Sequence, residues 1–197
     1  MSTASPAAIA SIQALFEDGA RQCLAPGADD QLVLAWQGAS AGALQPAPRQ
    51  TAGRHTVVLS IVSYGFRIVA LFDFDTTPAS LARFAQATSH PLEELEGQAF
   101  TDLCAETVNM ICGTVNRRLA AIFRHVGMST PVALESSATH DLALLSPTWL
   151  SHAALTLDTS PLLNLALCIC VAPEHPLDFR AEPEPRETEG VGELELF

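Results

Sequence analysis

The stretch "DLCAETVNMICGTVNRRL", Asp102 to Leu119, decides how the rest of the chain is read. At about 100° per residue, with Glu106 set at 0°, Asp102 falls at ~−40°, Asn109 at ~−60°, Gly113 at ~−20° and Asn116 at ~−80°. The five residues share a sector of roughly 80°. Cys104, Val108, Ile111, Cys112, Val115 and Leu119 centre on the opposite side, and the same apolar pattern runs on to Ile122 and Val126. This predicts one long helix over 97–126, stopped by Gly127, with one face buried and the other open. The open face has an odd composition. Solvated helix faces favour Glu, Lys and Arg, which are good helix formers, whereas Asp and Asn are poor ones. Gly113 costs a further ~1 kcal/mol against Ala in mid-helix. Most charge-bearing helix faces are simply solvated, and the pattern alone leaves that reading open; residues placed against their propensity, with Gly113 clearing side-chain volume from the middle, weigh towards a face that meets another molecule.

Outward from this helix the chain reads as α+β. "SPAAIASIQALFEDGARQCLAPG" places Ile9, Ile12, Leu15 and Phe16 at helical spacing, which predicts an N-terminal amphipathic helix over 5–25. "QLVLAWQ" (31–37) reads as a strand, and the Gly-, Ala- and Pro-rich 38–54 as a loop insertion. Two β-branched runs around Tyr64-Gly65 predict a hairpin over 55–75, and Thr-Thr-Pro opens a helix near Pro78. "PVALES" (131–136), "SHAALTLDT" (151–159) and "LLNLALCICVA" (162–172) are further strands, the last two joined as a hairpin at Ser160-Pro161. Hairpins imply a mostly antiparallel sheet of about five or six strands, with the helices packed on one face. Residues 1–172 are expected to form one domain. From Pro173 onward eight acidic residues, two arginines and four prolines predict a solvated acidic tail over 173–197.

Composition narrows the function classes. The 197-residue chain is 48% hydrophobic and carries a net charge of −12, from 22 acidic and 10 basic residues. That sign repels phosphate backbones, so nucleic acid is excluded as a partner. Without a basic amphipathic stretch or a long apolar span, a membrane is excluded as well, and a cytoplasmic location is expected. Cys23, Cys104, Cys112, Cys168 and Cys170 lie in apolar surroundings and read as buried reduced thiols. The Walker, G-x-G-x-x-G, H-E-x-x-H and G-x-S-x-G patterns are all missing. His140-Asp141 next to many serines is a weak triad candidate.

Asp102-x-x-x-Glu106-x-x-Asn109, continuing as Met110-Ile111-Cys112-Gly113, resembles the (D/S)-x-x-x-E-x-x-N signature of the CheC/CheX/FliY chemotaxis phosphatases. "ETVNMICG" is most similar to the single-motif CheX branch, with Thr114 where an Asn often follows the glycine. The preceding hairpin, the helix at 77–88 and the "LLSP" turn at 144–147 also fall in the family's order, and the resemblance covers roughly 30–172. It implies a substrate: the phosphoaspartate of a response-regulator receiver domain. Asn109 would orient the attacking water, and Glu106 would pair with the receiver's active-site lysine. Asp102, Gly113, Asn116 and Arg117 would contact the partner, with Arg117 and Arg124 beside the polar face. The divalent metal would belong to the receiver, so no cofactor of the chain's own is implied. A homodimer is expected, through sheet edges formed by the uncharged strands "TVVLSIV" and "LALCICV". The alternative is a non-catalytic module that uses the same helix to bind a receiver or a flagellar-switch protein.

Overall fold

The computed structural model describes residues 3–25, 31–40, 54–134, 142, 145–158 and 160–182. Its elements in chain order are α1 (Pro6–Leu24), β1 (Leu32–Ser40), β2 (Arg54–Val62), β3 (Phe66–Asp75), α2 (Pro78–Thr88), α3 (Gln98–Ile122), β4 (Gly127–Met128), β5 (Val132–Leu134), β6 (Trp149–Leu157) and β7 (Ser160–Val171). A short 3-10 turn at Leu92–Glu94 precedes α3. The fold is α+β, as expected. Among the described residues the strands form one seven-stranded antiparallel sheet in the order β1-β6-β7-β3-β2-β4, with β5 also paired to β2. The strand beyond the expected six is the two-residue β4, which carries no alternating pattern of its own, whereas β5 falls in "PVALES" as expected.

Local sequence explains the helix starts. The Ser5 side chain accepts a hydrogen bond from the Ala8 amide, and Pro6 follows at the first helical position. Thr77 and Pro78 repeat the device in α2. Ile9, Ile12, Leu15 and Phe16 of α1 are buried, and so are Cys104, Val108, Ile111, Cys112, Val115 and Leu119 of α3. All but Ile9 meet Val57, Leu59 and Ile61 of β2 and the inward residues of β3 and β7 in one core. The opposite sheet face is partly covered where Leu142 and Leu145 pack on Val69, Leu71, Leu150, Ala166 and Cys168. Helices α1 and α3 cross closely. A Cβ on Gly19 would stand 3.0 Å from the Ile111 carbonyl oxygen, so glycine there lets two backbones touch.

Five expectations change. Helix α3 ends at Ile122, because Phe123 turns extended (φ −112°, ψ 142°) and lays its ring against Phe66 and Phe179. Gly127 is therefore no helix stop but pairs with Val62 in β4, and Ile122 is exposed rather than buried. The β6–β7 turn sits at Asp158 (φ 48°), and Pro161 lies inside β7 opposite Thr156, at a register shift where its missing N–H is tolerated. "TVVLSIV" and "LALCICV" are not sheet edges: β7 runs between β6 and β3, and β2 is flanked by β3 on one side and by β4 and β5 on the other.

The fifth change concerns the chain after Val171. Residues 173–182 pack back onto the helices instead of beginning a solvated tail. Leu177 is buried, bridges Ala4 in parallel and exchanges backbone hydrogen bonds with Thr3 and Ser5. Phe179 meets Phe123 edge-on, the Ala181 amide donates to Ser11 Oγ, and Arg118 donates to the Glu182 carbonyl. Two apolar residues in an acidic, Pro-rich context are enough to dock the strap, and averaging over 173–197 hides them. Residues 183–197, the 41–53 part of the loop insertion and His140-Asp141 lie outside the described residues.

Candidate functional site

The polar sector of α3 is open where the wheel puts its centre. Asp102, Glu106, Asn109 and Arg117 are exposed and Gly113 is partly so. Helix α1 covers one flank of α3 and the sheet covers its back, so the side chains of the sector stand on a convex ridge. The ridge is held from beneath by the fully buried Cys104, Val108, Ile111 and Val115, which fix the rotation of the helix and thus the direction of Glu106 and Asn109. Glu106 and Asn109 are three residues apart and lie side by side one turn along the ridge. Asp102 sits one turn earlier, where its Oδ1 accepts a hydrogen bond from Gln98 Nε2 at 2.7 Å.

The remaining expected residues are placed less uniformly. Asn116 is half-buried at the margin of the sector, and its Oδ1 is shielded from solvent without a hydrogen-bond partner. Arg117 leans towards α1: its Nη2 donates to Thr114 Oγ1 at 3.1 Å, and Thr114 Oγ1 donates to Gln22 Oε1 at 3.5 Å. Thr114 is buried, so the residue that departs from the family pattern faces α1 and not the ridge. Arg124 falls beyond the end of α3, in the turn where its carbonyl accepts from Ser63 Oγ, so it is not part of the helical sector. Met110, which the sequence reading assigned only to the motif, is 45% exposed one turn after Glu106 and beside Gly113. Its wheel angle of about 40° was the available signal.

The cysteines carry no nucleophile to this face. Burial pushes the Cys104 and Cys112 thiols far above the ordinary range and Cys168 up to about 12. Cys23 and Cys170 are only partly buried. Burial raises the Cys23 thiol too, with the Arg117 guanidinium opposing the rise. No helix among the described residues is long and apolar enough to cross a membrane. The ridge offers a carboxylate and an amide for hydrogen bonding to a docked partner, on a rigid buried support and, among the described residues, with no enclosing cleft of its own.

Neither a family model nor a curated protein matches the sequence. Solved structures do match it. Chemotaxis protein CheX from Vibrio vulnificus superposes with a TM-score of 0.52 at 15% identity, over 82% of this chain and 98% of that one. The CheX chain in a CheX–CheY–BeF3–Mg complex from Borrelia burgdorferi gives 0.56 at 11% identity, over 82% and 97%. A CheC-like superfamily protein from Shewanella gives 0.51 at 10% identity, over 84% and 98%. At such identities the likeness establishes architecture and leaves activity to the site. The chain has the CheC/CheX fold.

Proposed function

We propose that the protein hydrolyses the phosphoaspartate of a response-regulator receiver domain. The observation that carries this reading is the exposed Glu106–Asn109 pair, three residues apart on a helix whose other face is wholly engaged in the core. A pair so mounted can enter a partner's cleft without deforming its own support. In the proposed step Asn109 accepts from and donates to a water, holding it in line with the acyl-phosphate bond, as an uncharged amide can do beside phosphoryl oxygens. The water oxygen bonds to phosphorus while the bond to the aspartyl oxygen breaks. The aspartate leaves as a carboxylate, and the water protons pass to the released phosphate and to solvent. Glu106 would pair with the receiver's lysine and so fix the register of docking. The divalent ion would be held by the receiver, and it would offset charge on the phosphoryl oxygens. The CheX–CheY complex named above concerns another protein of the same fold, and it makes a receiver the natural first partner to try.

The test adds the protein to receiver domains phosphorylated with acetyl phosphate and follows phosphate release. Release faster than the receiver's own decay is expected. A complex that forms without faster release would favour the non-catalytic module instead.

A further inference from the structure

Gly113 is unexplained by the fold that contains it. A glycine in mid-helix costs ~1 kcal/mol against alanine, so it normally answers a need of the chain's own. Positive φ is one such need, but Gly113 is not among the positive-φ glycines, and α3 runs unbroken through it. Close packing is another. It applies to Gly19, where an added Cβ would stand 3.0 Å from the Ile111 carbonyl oxygen. At Gly113 an added Cβ would meet nothing within 4 Å. The position lies on the open sector, one turn after Asn109 and one turn before Arg117, with exposed Met110 beside it. Among the described residues nothing fills the room that the missing methyl group leaves, so the space is open to a partner.

We propose that Gly113 is the point of closest approach at which the receiver's main chain crosses α3, and that it sets the depth to which Asn109 enters the receiver's site. This inference rests on the receiver reading above. A Cβ stands about 1.5 Å from its Cα, so a methyl group there holds the two backbones apart by roughly that distance. Displacements of about 1 Å at a reacting centre cost on the order of 10²-fold in rate. Gly113 is thus a positioning residue: it acts on the water through the placement of Asn109. Exposed Met110 beside it offers an apolar contact to the peptide edge of a receiver loop, while Arg117 is engaged with Thr114 on the side towards α1.

The test compares wild type with Gly113→Ala and Gly113→Leu, measuring melting temperature, affinity for phosphorylated receivers and phosphate release. Both substitutions should leave the melting temperature unchanged or higher, because both residues are better helix formers than glycine. Release should fall by 10- to 100-fold with Ala and further with Leu, or affinity should weaken in the same order. A lower melting temperature for the Ala variant would make Gly113 a structural glycine and overturn the inference. Unchanged affinity and release in an active wild type would overturn it while leaving the phosphatase reading intact. A wild type that binds receivers without hydrolysing them would sink the phosphatase reading, and the affinity series would then decide Gly113 alone. A wild type that binds no receiver would overturn both.

Discussion

In the proposed mechanism Glu106 and Asn109 give chemically different answers to one problem, the approach of a protein surface to a phosphorylated carboxylate. Asn109 is neutral and can lie near phosphoryl oxygens, whereas Glu106 must face a cation to be tolerated there. Glu106→Ala should therefore weaken complex formation as well as lower the rate. Affinity measured by titration calorimetry that matches wild type would remove the lysine-pairing role. The two helical glycines separate structure from docking in the same way. Gly19→Val forces a side chain into the Ile111 carbonyl and should destabilise the fold by about 1–3 kcal/mol, readable by urea denaturation. At this scale the sequence was legible wherever residue type and helical angle sufficed, as for Asp102, Glu106 and Asn109. It was not legible for Arg117, whose guanidinium is drawn to Thr114, or for Asn116, whose amide is half-covered. Those outcomes depend on neighbours that helical periodicity does not specify.

Helices and hairpins were readable from capping residues and alternation, as with Ser5-Pro6, Thr77-Pro78 and the runs on either side of Tyr64-Gly65. Element ends were less so. Helix α3 stops at Phe123 because two aromatic rings distant in sequence capture that side chain, and the strap after Val171 docks because Leu177 joins the core beside Ala4, just before α1. Leu177→Ala should cost about 2–4 kcal/mol, in the range for truncating a buried leucine. Stability within 0.5 kcal/mol of wild type, measured in denaturant, would count against a structural strap. Strand β6 contributes a pH dependence. Burial holds the His152 pKa below its ordinary value, and nearby Asp73 opposes the shift. Protonation then favours the unfolded chain, whose histidine titrates near its ordinary pKa of about 6.5. The associated stability is present above that pH and is lost as pH falls through the lower folded value. His152→Gln should flatten that part of the stability profile on the acid side of neutrality, and an unchanged profile would dismiss the contribution.

At the scale of the molecule, the seven-stranded sheet orients α3 so that its polar ridge faces outward, while α1 packs along one flank and the strap holds the C-terminal end of α3 through Arg118 and Phe123. Among the described residues the sheet edges are β1 on one side and β4 with β5 on the other, so dimerisation through one of these edges would leave the ridge open. Val132 on β5 is 51% exposed, and Val132→Lys should shift a β5-paired dimer towards the 20.9 kDa monomer in light scattering. A wild-type mass that stays monomeric at high concentration removes the dimer. The edges were misread from the sequence because strand order is set by non-local pairing, which apolar runs such as "LALCICV" do not encode. The central claim is that Asn109 performs chemistry rather than docking. Its most direct measurement is the separation of kcat from Kd in Asn109→Ala acting on a phosphorylated receiver. The account predicts a Kd close to wild type with kcat lowered by about 10²-fold or more, towards the receiver's own decay. Wild-type kcat in the variant, or a loss confined to Kd, would contradict it.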